Sequence, residues 1–112
     1  MAEDCIFCKI IKGDIPSARV YEDDKMIAIN DVAPAAPVHV LLLPKEHTPN
    51  ITTADPELVA YMLGKVKLIA EKTGIAEKGF RVVINTGDEG GQTVKHLHIH
   101  ENGGKEIGRP PC

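Results

Sequence analysis

The chain has 112 residues, of which 43% belong to the hydrophobic set and 26% are charged, a balance that argues for one globular domain over 1–112 and against long disorder. Its 13 Lys and Arg against 16 Asp and Glu leave a formal charge of −3, so the general field repels nucleic acid and anionic membranes. No apolar run approaches the roughly 20 residues of a bilayer span. The acidic start Met1-Ala2-Glu3-Asp4 lacks the basic-then-apolar order of a secretory signal, so a cytoplasmic protein is expected.

Residues 5–12 (CIFCKIIK) read as a short helix or turn ended by Gly13. Arg19 to Tyr21 and Met26 to Asn30 are short strands, joined through the polar group Glu22-Asp23-Asp24-Lys25 as a hairpin. Two prolines make 31–37 an irregular or extended loop, and Val38 to Leu43 follows as a strand stopped by Pro44. Asp55 caps and Pro56 opens one long amphipathic helix, with Leu58, Val59, Met62, Leu63, Val66 and Ile69 on its apolar stripe and an end near Lys72-Thr73-Gly74. Phe80 to Asn85 and Val94 to His100 complete a set of about five strands, separated by the Gly-rich loop 86–92. Hairpin-like links with a single long helix favour an α+β domain over a doubly wound parallel sheet.

His96-Leu97-His98-Ile99-His100 alternates with period two, so a strand puts all three imidazoles on one face and Leu97 and Ile99 on the other. A helix would scatter the rings through roughly 200° of arc. Single surface histidines mean nothing, but three in alternation opposite an apolar face, beside a loop rich in backbone N–H groups, form a specific constellation. Neutral imidazole is both a nucleophile and a proton carrier near pH 7, and it can attack phosphorus to give a phosphohistidine that water later removes. The other imidazoles and the loop amides would then stabilise the phosphate charge, an arrangement suited to phosphoryl or nucleotidyl transfer.

Cys5 and Cys8 can close on one tetrahedral zinc if two further ligands converge, with His47 and a triad histidine as the available candidates. A thioredoxin-like redox pair is the competitor, although the βαβ pattern that carries it is not found. Two small buried hydrophobes are the third reading. Cys112 is expected to be a free thiol.

The chain resembles the histidine triad family, whose pattern is His-x-His-x-His with apolar x, and specifically its zinc-containing, Hint-like purine nucleoside phosphoramidase branch. The resemblance covers CIFCKIIKGDIPS, YEDDKMIAINDVAPAAPVHVLLLPKEH and VINTGDEGGQTVKHLHIH, in that order, through to GRPP. It implies that His98 is the nucleophile on the α-phosphorus of an adenosine or guanosine monophosphate amide or ester. It sets His39 and His100 beside the same phosphate, and Thr93 where a hydroxyl supports the leaving group. It implies that Asp31 accepts hydrogen bonds from the ribose and that Ile29 and Val32 wall the base. On the phosphate side it implies Asn85, with the loop residues Gly91 and Gln92. By sequence alone Asp31 reads as a turn residue and Asn85 as a strand end. The resemblance further implies a structural zinc on Cys5, Cys8, His47 and His96, and a homodimer built through the long helix and a strand edge.

One departure stands out. The family usually continues after His100 with two apolar residues, but here Glu101 and Asn102 follow. By alternation Glu101 falls on the Leu97 and Ile99 side, where an unpaired carboxylate would cost several kcal/mol or be protonated. Either the strand ends or bulges at His100, or Glu101 finds a partner or water. Other functional classes stay open beside the phosphoramidase: a dinucleoside polyphosphate hydrolase within the same enzyme class, a nucleotide-binding or interaction module with little turnover, which the departure motivates, and a zinc-dependent adaptor that needs only Cys5 and Cys8.

Overall fold

A short helix, α1 (Ile6–Lys12), begins where the Cys5 thiol accepts the backbone N–H of Cys8 and ends at Gly13, whose φ of 89° glycine holds without strain. The computed structural model to which it belongs describes residues 5–31 and 37–105. The expected hairpin follows as β1 (Arg19–Glu22) and β2 (Met26–Asn30). Its turn is held by Asp23, whose Oδ1 accepts from the N–H groups of Lys25 and Met26 at 2.8 and 3.0 Å. The other carboxylate oxygen accepts from the hydroxyls of Tyr21 and Tyr61 at 2.7 and 2.5 Å, tying the turn to the helical layer. Burial works to raise the Asp23 pKa, but these four donors outweigh it and hold the carboxyl well below the usual range.

β3 (Val38–Pro44), β4 (Phe80–Val83) and β5 (Ile99–Gly103) complete an antiparallel sheet in the order β1-β2-β3-β5-β4. Residues of β2 and β3 are buried on both faces. On one face Met26, Ala28, Val40, Leu42, Leu97 and Ile99 pack against Met62 and Ile69 of the helical layer. On the other, Ile27, Ile29, Leu41 and Leu43 pack against Phe7 and Ile10 of α1. Leu41-Leu42-Leu43 is thus core on both sides, as a strand between two covering layers requires.

The helical stretch is α2 (Pro56–Leu63) and α3 (Val66–Thr73), opened by the Asp55 side chain on the Glu57 N–H and interrupted by a turn at Gly64 and Lys65. Both turn residues keep right-handed backbone angles, and the Lys65 N–H reaches back only to Met62 O, 3.0 Å away. Glycine in a helix interior weakens the ladder by about 1 kcal/mol relative to alanine, which is why the expected single helix tightens here. Among the described residues no helix is long and apolar enough to cross a membrane.

The last strand differs from the expectation. It begins at Ile99 rather than Val94 and runs past His100 to Gly103. β5 lies between two partners, with Glu101 opposite Val40 on β3 and Val82 on β4, so its backbone groups are drawn into ladders on both sides. Glu101 neither ends the strand nor finds a partner: it is fully buried, and both carboxylate oxygens lack a hydrogen-bond partner. Burial raises its pKa to about 7. At the strand's end Gly103 is required, because a Cβ there would come within 2.9 Å of the Ile75 side chain.

Candidate functional site

α1, the turn after β3 and the segment leading into β5 converge on one cluster. Cys5 Sγ lies 3.4 Å from His96 Nδ1, Cys8 Sγ lies 3.2 Å from His47 Nδ1 and 3.6 Å from His96 Nδ1, and the two Nδ1 atoms are 3.1 Å apart. All four ligand atoms fall within 4.8 Å of one another, so the group could hold a metal ion. The backbone carbonyl of Pro44 accepts from His96 Nε2–H at 3.0 Å, which leaves Nδ1 with its lone pair turned toward the other three donors. Burial brings the His96 pKa down to about 4 against the opposing effect of that carbonyl, keeping the ring neutral. Zinc–nitrogen and zinc–sulfur bonds of about 2.0 and 2.3 Å give tetrahedral edges of about 3.3 to 3.8 Å, close to these separations. The donors therefore fit a closed tetrahedral site.

The His98 and His100 rings, with centroids 5.0 Å apart, both line a cavity of about 400 Å³ together with His39, Asn85, Gly91 and Thr93. That volume suits a small organic ligand. His98 Nδ1 donates to the His96 carbonyl oxygen at 2.7 Å, and Nε2 then carries the free lone pair. The edge of the Phe7 ring packs against His98, with centroids 5.0 Å apart at 72°. His39 Nε2 and His100 Nδ1 are 2.9 Å apart, and His39 Nδ1 is 3.5 Å from the Asp31 carboxylate. A carboxylate only accepts, so Asp31 orients His39 to donate through Nδ1 and accept from His100 through Nε2. Burial lowers the His39 pKa against the pull of Asp31, and it lowers that of His100 to about 4 with help from the neighbouring His98 and His39.

The Gly-rich loop is held from inside. Asn85 Nδ2 donates to Gly90 O at 2.8 Å, a Cβ at Gly90 would run into the Thr86 carbonyl, and Gly91 has a φ of 79°. Gln92 turns inward: its Oε1 accepts the Gly87 N–H at 2.9 Å, and its Nε2 donates to Pro49 O and Val94 O at 2.6 and 2.9 Å. Its side chain braces the loop, while Thr93 is exposed at the cavity. Ile29 is buried under α1, and Asp31 is half-buried beside His39. Val32 lies outside the described residues, as does Cys112.

Several residues at the site carried no individual functional reading in the sequence, Glu89 on the cavity wall among them. Phe7 touches both His96 and His98, and only its place between the two cysteines hints at this. Val83 stands opposite His100 across β4 and β5. Asn102 lines the cavity, a position that period-two alternation from His98 and His100 does mark once the strand is known to continue.

With this geometry in view, the comparisons with known proteins converge. Residues 12–107 match the HIT domain family, and the chain belongs to it. It is 53% identical to an uncharacterized HIT-like protein of Synechocystis over 114 aligned positions, covering 99% of each chain. It is also 42% identical to the purine nucleoside phosphoramidase of Escherichia coli K12 over 111 positions, covering 96% of this chain and 93% of that one. Among solved structures, a HIT family hydrolase from Clostridium thermocellum superposes with a TM-score of 0.92 at 47% identity, covering 96% of both chains. A histidine triad protein from Clostridium difficile gives 0.93 at 42% identity over 99% of both.

Proposed function

We propose that this chain is a nucleotide hydrolase that cleaves purine nucleoside 5′-phosphoramidates through a nucleotidyl-histidine formed on His98. The observation that carries this reading is the His98 ring itself: locked by the His96 carbonyl with Nδ1 protonated, it offers Nε2 at the wall of a cavity shared with His39 and His100. The likeness to a purine nucleoside phosphoramidase at 42% identity supports the substrate class.

In this mechanism His98 Nε2 forms a bond to the α-phosphorus as the P–N bond breaks, and the amine departs with a proton drawn from solvent water, which the attacking water of the second step returns. Water then attacks the same phosphorus, the P–Nε2 bond breaks, and nucleoside monophosphate leaves while His98 returns to its neutral form. The loop N–H groups at Gly91 and the Thr93 hydroxyl offset the charge that gathers on the phosphate oxygens and the leaving group, beside the His39 and His100 rings. Asp31 takes the ribose hydroxyls. Cys5, Cys8, His47 and His96 would hold a structural zinc, and the four ligands together would tie α1 to the histidine segment. The active form is a homodimer, with Phe80 on the edge strand β4 exposed by 37% as a point of contact.

Turnover of adenosine 5′-phosphoramidate tests the activity. The protein should release AMP, and His98→Ala should abolish release while still binding AMP. An inactive wild-type protein defeats the reading, and a His98→Ala variant of undiminished rate defeats the assignment of the nucleophile. Metal analysis of protein purified without added zinc, and light scattering, test the zinc and the dimer.

A further inference from the structure

Asn102 is a buried polar group at the cavity that this chemistry leaves unused. It follows His100 on the same face of β5, opposite His39 on β3 and Arg81 on β4. It is only 6% exposed, it lines the cavity, and its Oδ1 is buried with no hydrogen-bond partner. A buried carboxamide with an unmet acceptor is unfavourable in the empty protein. The amide also carries two N–H donors, and a half-turn of its terminal torsion exchanges the two ends. A ligand that brings a polar group into this corner recovers the missing interaction.

Its position indicates which part of a substrate it meets. Four residues along the strand at about 3.3 Å each place its Cα about 13 Å from that of His98, too far to serve the phosphorus itself. Asp31 and Ile29 lie on the β2 side of the sheet, whereas Asn102 lies across β3 from them, beside β4. With the nucleoside at Asp31 on the first side, as proposed above, the leaving group would extend toward the second. We propose that Asn102 is a specificity residue for the leaving group, favouring amines that carry a carboxamide close to the nitrogen, as an α-amino acid amide does. This rests on the phosphoramidase reading above. A carboxamide is both donor and acceptor, so it matches the Asn102 amide at both ends, which an alkyl chain cannot do.

The test compares kcat/KM for two adenosine 5′-phosphoramidates, one of glycinamide and one of n-propylamine, in wild type and in Asn102→Leu. Taking the ratio of the two substrates within each protein removes effects of folding, nucleophile and nucleoside binding. The wild-type ratio should exceed that of Asn102→Leu by about tenfold. Asn102→Ser, which also lacks the amide, should fall with the leucine variant and supplies the comparison if leucine does not fit. Equal ratios in wild type and variants overturn the inference while leaving the phosphoramidase intact. Failure of the wild-type protein to cleave either substrate overturns both.

Discussion

His96 and His98 stand two residues apart on one stretch of chain, and their backbone partners turn their lone pairs in opposite directions. At His96 the Pro44 carbonyl takes the Nε2 proton, so Nδ1 turns its lone pair into a cluster of two thiols and the His47 ring, where an added cation is the natural complement. At His98 the carbonyl of His96 takes the Nδ1 proton instead, and Nε2 keeps its lone pair for a ligand in the cavity. Asp31, His39 and His100 also bring their donor atoms within 4.8 Å of one another, yet they form a chain of donor to acceptor between carboxylate and rings. Counting ligands does not separate a metal cage from an acid–base site; following each ring proton does.

Each consequence of this contrast can be measured. The largest lies at His98. His98→Ala should lower turnover of adenosine phosphoramidate by at least about 10⁴-fold, as removal of a catalytic nucleophile does, with zinc content unchanged in metal analysis. Loss of zinc together with activity would merge the two groups and break the contrast.

Cys8→Ala comes next and acts on the other group. It should abolish zinc retention and lower the free energy of unfolding by about 4 kcal/mol in a denaturant titration, because metal binding in such a site is folding energy. Stability unchanged by chelators would show that the cluster holds no structural ion.

A third outcome concerns the opposite face of the same strand. The Glu101 carboxyl has its folded-state pKa raised from 4.5 to about 7, so its contribution to stability is complete below 4.5 and is lost as pH rises through 7. The full change corresponds to roughly 3 kcal/mol. Glu101→Leu should flatten this part of the stability–pH curve and raise the melting temperature at pH 8. A wild-type curve already flat between pH 5 and 8 would mean that the carboxyl is hydrated or paired.

The smallest effect joins both groups. Phe7 presents its ring to His96 at 5.8 Å and to His98 at 5.0 Å. Phe7→Leu keeps the apolar volume but removes both edge contacts, each worth about 1 kcal/mol. A severalfold loss in kcat together with a faster loss of zinc to a chelator is expected, and a loss confined to one property would show that the ring serves a single group.

Most of this architecture could be read from residue order. The alternation of His98 and His100 marked two rings that line one cavity, the spacing of Cys5 and Cys8 marked two members of a group that could hold a metal ion, and Asp55-Pro56 marked a helix start that the structure reproduces. What escaped depends on long-range contacts. The proton assignments at His96 and His98 come from carbonyl oxygens whose direction is a tertiary property. The contact of Phe7 with His98 needs α1 folded over a distant segment. The course of β5 was misjudged because local chemistry opposes burying Glu101, while ladders on both sides of the strand draw it inward. The turn at Gly64 is a milder case, in which a recognised helix weakener acted within an otherwise continuous pattern.

The inward side chain of Gln92 has a consequence for how a ligand is received. Its three hydrogen bonds stitch the loop's start, the region after β3 and the run-up to the histidines into one unit before anything is bound. Amide groups held in this way lose little conformational freedom when an anion docks, so a phosphate received there would meet a mould already set, and the energy of docking would be left for distinguishing one incoming molecule from another.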